Sequence, residues 1–125
     1  MGQKVKTMPR NMSFMLTQQQ VRERRKFVTR RLGWVLKENE VLNAVEKAMG
    51  LKKGEKVARM GQIQVVEARW ERLDRMITDL SYGRSEVILE GFPDMTPLEF
   101  VGFFCRHMKV PPDEYVHRIM FCYLD

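Results

Sequence analysis

The sequence predicts an α+β fold, in which five or six short strands form a curled antiparallel sheet or small β-barrel with three to five helices around it. Its 125 residues correspond to one ordinary domain. A composition of 44% hydrophobic and 30% charged residues is typical of a folded chain. Short segments rich in β-branched and aromatic residues alternate with helical patterns, and a curled or closed sheet buries such short strands efficiently.

The beginning of the chain predicts a lead-in followed by the start of the folded domain. Residues 1–12 are polar and basic, so we expect a flexible segment there and a single domain over 13–125. The short apolar run 13–16 favours a strand. Thr17 is a preferred residue type at a helix N-terminus and predicts a helix over 18–25.

The next segment combines basic residues with a β-strand pattern. Its β-branched residues predict a strand over 28–32 that stops at Gly33. Because side chains alternate along a strand, Thr29 and Arg31 should point to one face and Arg30 to the other.

The middle of the chain predicts one helix and two strands. Apolar residues at helical spacing predict a helix over 40–49, and Gly50 suits the position just after its end. Partial alternation of apolar and polar residues then predicts strands over 56–60 and 62–70, separated by Gly61.

The last third of the chain contains the clearest helix signal. Thr96, Pro97 and Glu99 have the order of an N-cap, a proline at the first helical position and a capping-box acid, which predicts a helix to about His107. The other expected features are a short helix over 73–80, a break at 82–84, a short helix over 85–90 beginning at Ser85, and a final strand over 115–124.

Positive charge is concentrated near the N-terminus. The formal net charge is +6, but residues 1–37 hold ten bases and one acid, so the remainder carries an excess of acids. Such asymmetry favours a polyanionic partner such as RNA or a nucleotide, although a solvated basic face without a partner gives the same pattern. The densest group is Arg24, Arg25, Lys26, Arg30 and Arg31. Phe27 and Trp34 lie beside it and are candidates either for base stacking or for the core.

Several classes of site lack support in the sequence. The phosphate-binding loop, the dinucleotide fingerprint, the serine-hydrolase elbow and the zinc-protease motif are all absent, so we expect no cofactor. The two cysteines and two histidines are scattered, so we expect no metal site; His107 and His117 are predicted at the surface or at helix ends. Two unpaired thiols favour the reducing cytoplasm, and the absence of a long apolar run predicts no membrane span. We expect a monomer.

Short motifs in a fixed order resemble the ASCH family of the PUA-like superfamily, in particular small bacterial and phage ASCH proteins. The resemblance covers residues 13–124 and implies a small PUA-like β-barrel whose cleft binds RNA or nucleotides. The motifs that carry it are the segments 25–34, 51–57, 63–66, 90–92 and 118–121.

A subset of these relatives consists of amidohydrolases that remove the acyl group from N4-acetylcytidine. Their Lys, Thr and Glu match Lys26, Thr29 and Glu90 here. The resemblance therefore implies that these three residues are catalytic, and the chemistry is reasonable. A threonine hydroxyl becomes a nucleophile when a neighbour removes its proton, and a lysine can do so if burial or nearby cations lower its pKa. A glutamate can protonate the leaving amine or orient a water molecule.

The resemblance thus predicts an RNA- or nucleotide-binding ASCH domain. The most specific form of this hypothesis is that the protein hydrolyses an N4-acylated pyrimidine nucleoside. A non-catalytic RNA-binding module and a protein-binding adaptor that uses the basic segment Arg22–Arg31 are the alternatives. The residues predicted to contact nucleic acid are Arg24, Arg25, Arg30, Arg31, Trp34, Lys52 and Lys53.

Overall fold

The computed structural model describes residues 8–125 and confirms an α+β fold built on one five-stranded sheet. The strand order across the sheet is β1-β3-β4-β5-β2. The strands are β1 (Arg10–Ser13), β2 (Val28–Arg31), β3 (Val41–Val45), β4 (Arg59–Arg72) and β5 (Tyr115–Tyr123), and the helices are α1 (Gln18–Arg22), α2 (Arg75–Thr78), α3 (Leu80–Leu89) and α4 (Pro97–Met108).

The sheet is mixed, whereas the sequence predicted an antiparallel one. β1 pairs with β3 in parallel, and the other three strand pairs are antiparallel. β1 begins at Arg10, inside the segment 1–12 predicted to be a lead-in, because Met12 is fully buried in the core next to Phe14. Residues 1–7 of that predicted lead-in lie outside the described residues.

The helix predicted over 40–49 is wrong, since Val41–Val45 forms strand β3. β3 lies between β1 and β4, and its Leu42 and Ala44 are fully buried on one face of the sheet. The valines at both ends fit a strand, and pairing on both edges satisfies the backbone, so tertiary context overrides the helical spacing.

The two strands predicted over 56–60 and 62–70 form the single strand β4, and Gly61 lies inside it. β4 pairs with β3 at its start and with β5 along most of its length, with an irregularity in the β5 register between Val65 and Glu67. An extra residue at such a point bends the strand, which lets a long strand follow a curled sheet.

A break was predicted at 82–84, but these residues lie within α3. The side chain of Asp79, rather than Ser85, caps this helix by accepting a hydrogen bond from the Tyr82 backbone N–H. A side chain at Gly83 would clash with α2, because a Cβ at this position would lie 2.0 Å from the carbonyl oxygen of Met76. The glycine allows α2 and α3 to approach closely.

We expect Gly83→Ala to lower the free energy of unfolding by about 1–3 kcal/mol, because the added methyl group forces the two helices apart. Without that contact the same change would stabilise the helix, since alanine has the higher helix propensity. Urea denaturation gives the sign of the change in the free energy of unfolding. Ser85→Ala on the exposed side of α3 is the control, and its free energy of unfolding should change by no more than about 0.5 kcal/mol. A Gly83→Ala protein as stable as the wild type would contradict the close packing.

The predicted helix start at Thr96 is confirmed. The Thr96 hydroxyl accepts from the Glu99 N–H at 3.1 Å, and the Glu99 carboxylate accepts from the Thr96 N–H at 3.0 Å. By contrast, Thr17 precedes α1 without a side-chain cap bond. α4 packs on α2 and α3 through an apolar cluster of buried residues: Leu73, Met76, Val87, Phe100, Val101, Phe104 and Val116. This packing brings one face of α4 towards β2.

Candidate functional site

A cavity of about 220 Å³ lies between β2, the end of α3, α4 and the connection from β1 to α1. It contains all three residues that the ASCH resemblance identified: Lys26, Thr29 and Glu90. Most of the other lining residues are apolar, including Phe14, Met15, Leu16, Phe92, Phe100, Phe103, Phe104 and Met108, and the remaining ones are Ser13, Thr17, Arg30, Arg31 and His107.

The ion pair of Lys26 and Glu90 forms one wall of this cavity. The Lys26 ammonium donates to Glu90 Oε1 at 2.7 Å and to the Glu90 backbone carbonyl at 2.8 Å. Both side chains are almost fully buried. The backbone brings them together, since the Phe27 N–H donates to the Leu89 carbonyl and Gly91 turns the chain with a φ of 96°. A side chain in that left-handed region is strained, which explains the glycine.

Arg30 lies behind Glu90 and links it to a buried ionic network. Its Nη1 donates to Glu90 Oε2 at 2.9 Å, while its Nη2 donates to Glu71 at 2.8 Å and to Glu86 at 2.5 Å. Arg118 donates twice to the same Glu86. The Arg30 side chain has no exposed surface, so this network fixes the orientation of Glu90 from the side opposite Lys26.

The environment of Lys26 makes its proton easier to remove than that of an exposed lysine. Burial lowers the pKa of the ammonium below its ordinary value of 10.5, and the Glu90 carboxylate offsets only part of this effect. A lysine that loses its proton more readily can act as a general base.

Thr29 lies on β2, three residues after Lys26, and its side chain is buried at the cavity. Its Oγ1 accepts a hydrogen bond from Arg31 Nε at 2.9 Å. The predicted alternation of the strand is confirmed, because Thr29 and Arg31 contact each other whereas Arg30 reaches the network behind Glu90. A cationic donor on this oxygen favours the negative charge that develops when a hydroxyl loses its proton.

Most cations of the basic segment are paired with carboxylates inside the molecule. Arg24 bonds Asp125 at 2.8 Å, Arg25 bonds Glu23 at 3.1 Å, and Arg22 pairs with Glu46. Two of these three partners, Glu46 and Asp125, come from outside the segment, so the fold neutralises charge that the sequence concentrates here. This pairing weakens the argument from charge for a long polyanion on this surface.

The residues predicted to contact nucleic acid differ in burial and in their partners. Arg30 is buried and its terminal nitrogens are engaged by three carboxylates, which leaves it unable to reach a phosphate outside the protein. Of this set, only Arg30 and Arg31 line the cavity. Trp34 is half-buried against the core with Arg10 over its ring, and Lys52 and Lys53 are exposed in a turn.

The histidines and cysteines occupy unrelated positions. His107 is exposed near the end of α4, as predicted, but His117 is buried in β5, where its ring packs 4.8 Å from that of Trp70. Its Nε2 accepts from the Leu36 N–H at 3.2 Å, while its Nδ1 is buried without a hydrogen-bond partner among the described residues. Cys105 and Cys122 are free and half-buried. Within residues 8–125, no group of three or more His, Cys, Asp or Glu residues is arranged to hold a metal ion.

No local sequence signal identifies the residues of the buried ionic network that holds Glu90. Glu71, Glu86 and Arg118 come from β4, α3 and β5, and nothing in their local sequence distinguishes them from exposed charges. The phenylalanines of α4 also line the cavity, which no motif in the sequence indicates. The available signal was the helix amphipathicity, which does not tell a core from a pocket wall.

Comparison with known proteins shows the fold. The chain is similar to the crystal structure of protein EF3133 from Enterococcus faecalis V583, described with the family name DUF984, at a TM-score of 0.63 and 16% identity over 97% of this chain and 83% of that chain. No family model and no curated protein matches the sequence. In the part of the chain that the structure describes, no helix is long and apolar enough to cross a membrane. The architecture is an α+β fold with a five-stranded mixed half-barrel sheet and is consistent with a PUA-like barrel.

Proposed function

We propose that the protein is an ASCH-type amidohydrolase that removes the acyl group from an N4-acylated cytidine or a related acylated pyrimidine. The observation that carries the proposal is the direct contact of Lys26 with Glu90, 2.7 Å apart, in the wall of a cavity that Thr29 also lines. Glu90 is 64 residues from Lys26 in the sequence, yet it lines the same cavity as Lys26 and Thr29, as the motif resemblance requires. The cavity's aromatic walls suit a flat base.

The chemistry assigned to the three residues is acyl transfer through Thr29. Neutral Lys26 takes the Thr29 proton as Oγ1 attacks the acyl carbon, and that proton passes to the departing exocyclic nitrogen as the C–N bond breaks. Water then attacks the Thr29 ester, releasing the carboxylic acid and restoring the hydroxyl. Glu90 orients Lys26, and the Arg31 Nε hydrogen bond stabilises charge on Oγ1.

Internal pairing of the basic segment favours a small ligand over a long RNA. Arg22, Arg24 and Arg25 are each paired with a carboxylate, and only part of the predicted nucleic-acid set lies at the cavity. A pocket that binds the nucleoside without hydrolysing it is the alternative outcome of the test below.

The test is release of cytidine from N4-acetylcytidine by wild type, Lys26→Ala and Glu90→Gln, followed by chromatography. We expect turnover in the wild type and a loss of about a thousandfold or more in Lys26→Ala, since it removes the base. Arg84→Ala, on the exposed surface of α3, is the matched control and should retain full activity. Equal turnover in all four proteins would contradict the assignment, and tight nucleoside binding without turnover would establish the binding alternative.

The pH dependence of turnover should report the Lys26 proton. Because the neutral amine is the active form, kcat/KM should rise with pH, and burial places the midpoint of that rise below the ordinary lysine value of 10.5. The measurement is a pH profile of kcat/KM for N4-acetylcytidine. An ascending limb centred at or above pH 10.5 would contradict the role of a desolvated lysine.

A further inference from the structure

Arg31 differs from the other cations at the cavity in its bonding. Its Nε donates to Thr29 Oγ1 at 2.9 Å, and its guanidinium lies over the Phe14 ring, 4.8 Å from the centroid. Among the residues that the structure describes, no carboxylate pairs with it and its two terminal nitrogens have no hydrogen-bond acceptor. Since Arg31 lines the cavity, these donors are available to a ligand there.

The buried carboxylates near the cavity are engaged by cations other than Arg31. Glu90 accepts from Lys26 and Arg30, and Glu86 accepts from Arg30 and Arg118. Arg31 is partly buried and takes part in none of these ion pairs. Burial lowers its pKa to about 10, with Glu90 offsetting only part of the effect, so the guanidinium remains charged at neutral pH at a cost in desolvation. A bound anion would remove that cost.

The phenylalanine side chains that line the cavity restrict the shape and polarity of the rest of the ligand. α4 and the loop before it contribute four phenylalanines, of which Phe92 packs against Phe100 and Phe103 at 5.9 and 5.7 Å between ring centroids. This wall suits a flat, apolar group. A planar guanidinium donates two parallel hydrogen bonds to a carboxylate or phosphate.

We propose that the terminal nitrogens of Arg31 form a subsite for an oxyanion carried by the ligand, so that the cavity takes an anionic aromatic amide in preference to a neutral nucleoside. The amide group of this ligand rests on the proposed function, whereas the anion subsite does not. Two sources supply this chemistry: the phosphate of an acylated nucleotide, and the carboxylate of an N-acylated aromatic amino acid.

Calorimetry with charged and neutral ligand pairs tests the subsite. One pair is cytidine 5′-monophosphate and cytidine, and the other is N-acetylphenylalanine and its amide. We expect the wild type to bind the charged member of one pair about tenfold or more tightly than the neutral member. The pair that shows the preference identifies the anion as phosphate or carboxylate. Arg31→Ala should abolish the preference, Arg31→Lys should keep part of it, and Arg84→Ala should leave it unchanged.

The outcomes separate this inference from the proposed function. A wild type without charge preference in either pair would overturn it, and this holds even if Arg31→Ala does not fold. An Arg31→Ala protein that loses affinity equally for both members of a pair would also overturn it, because that is the effect of a purely structural side chain. A preference that depends on Arg31 in a protein that fails to hydrolyse N4-acetylcytidine would support the subsite while refuting the amidohydrolase.

Discussion

Thr29→Ala is expected to lower kcat/KM for N4-acetylcytidine by about a thousandfold or more, because it removes the oxygen that attacks the acyl carbon. Thr29 Oγ1 is the acceptor of the Arg31 Nε hydrogen bond and is buried at the cavity. Thr29→Ser keeps the hydroxyl and should retain part of the activity. Steady-state kinetics on both variants, with thermal unfolding as a check on folding, measures the difference.

The comparison of these two variants distinguishes chemistry from packing. Both remove the threonine methyl group from a buried site, and only Thr29→Ala removes the oxygen. If the two variants lose activity to the same extent, Thr29 acts through its shape and the nucleophile must be another group. Substrate affinity should change little in Thr29→Ala, since the proposed interaction forms mainly in the transition state.

Arg30→Met is expected to lower the free energy of unfolding by about 3–5 kcal/mol, because it leaves buried carboxylates without their cation. The Arg30 side chain is fully buried and its terminal nitrogens contact Glu71, Glu86 and Glu90. Methionine fills a similar volume, so the loss reports charge more than packing. Chemical denaturation measures the free energy of unfolding. Arg30→Lys keeps the charge but not the planar guanidinium, so its stability should lie between those of the wild type and Arg30→Met.

Arg72→Ala provides the matched control for this effect. Arg72 pairs with Asp74 at 2.7 Å, but its side chain is half exposed, so we expect a loss of at most about 1 kcal/mol. If Arg30→Met is as mild as Arg72→Ala, the buried network does not hold Glu90 in place. Arg30→Met should also lose activity, since Glu90 would no longer be fixed against Lys26.

Acid should weaken the wild type through the same network. Burial alone would raise the pKa of Glu71, but hydrogen bonds from Tyr82 and Arg30 outweigh it and lower the pKa below its ordinary value of 4.5. A carboxyl with a lowered folded-state pKa stabilises the protein above pH 4.5, and this stabilisation is lost as the pH falls through the folded-state pKa. Unfolding free energies measured from pH 6 to about pH 3 should therefore fall, and a pH-independent stability would contradict this account.

The sequence predicted the elements whose signals are local. The capping box at Thr96 and the β-branched strand that carries Thr29 are both found in the structure. Strand β3 was mistaken for a helix because Val41, Leu42 and Val45 satisfy helical spacing, while pairing with β1 and β4 depends on residues far away in sequence. Gly83 was taken as a break for the same reason, since its contact is with α2.

The three residues of the motif resemblance could be predicted to lie together, whereas the charges around them could not. Lys26, Thr29 and Glu90 came from motif order, and the structure brings them to one cavity. The partners of the basic segment came from the acids of the remaining chain, such as Glu46 and Asp125. A charge count along the sequence cannot show such pairing, and it therefore favoured a polyanion more strongly than the folded protein does.

The most direct test of the amidohydrolase assignment is rapid-quench mass spectrometry of the wild type mixed with N4-acetylcytidine. We expect cytidine to appear in the first turnover and an acetyl group to be found transiently on the peptide containing Thr29. We expect neither product with Thr29→Ala. Absence of both cytidine and acetylated Thr29 in the wild type, under conditions where the nucleoside is bound, would contradict the account.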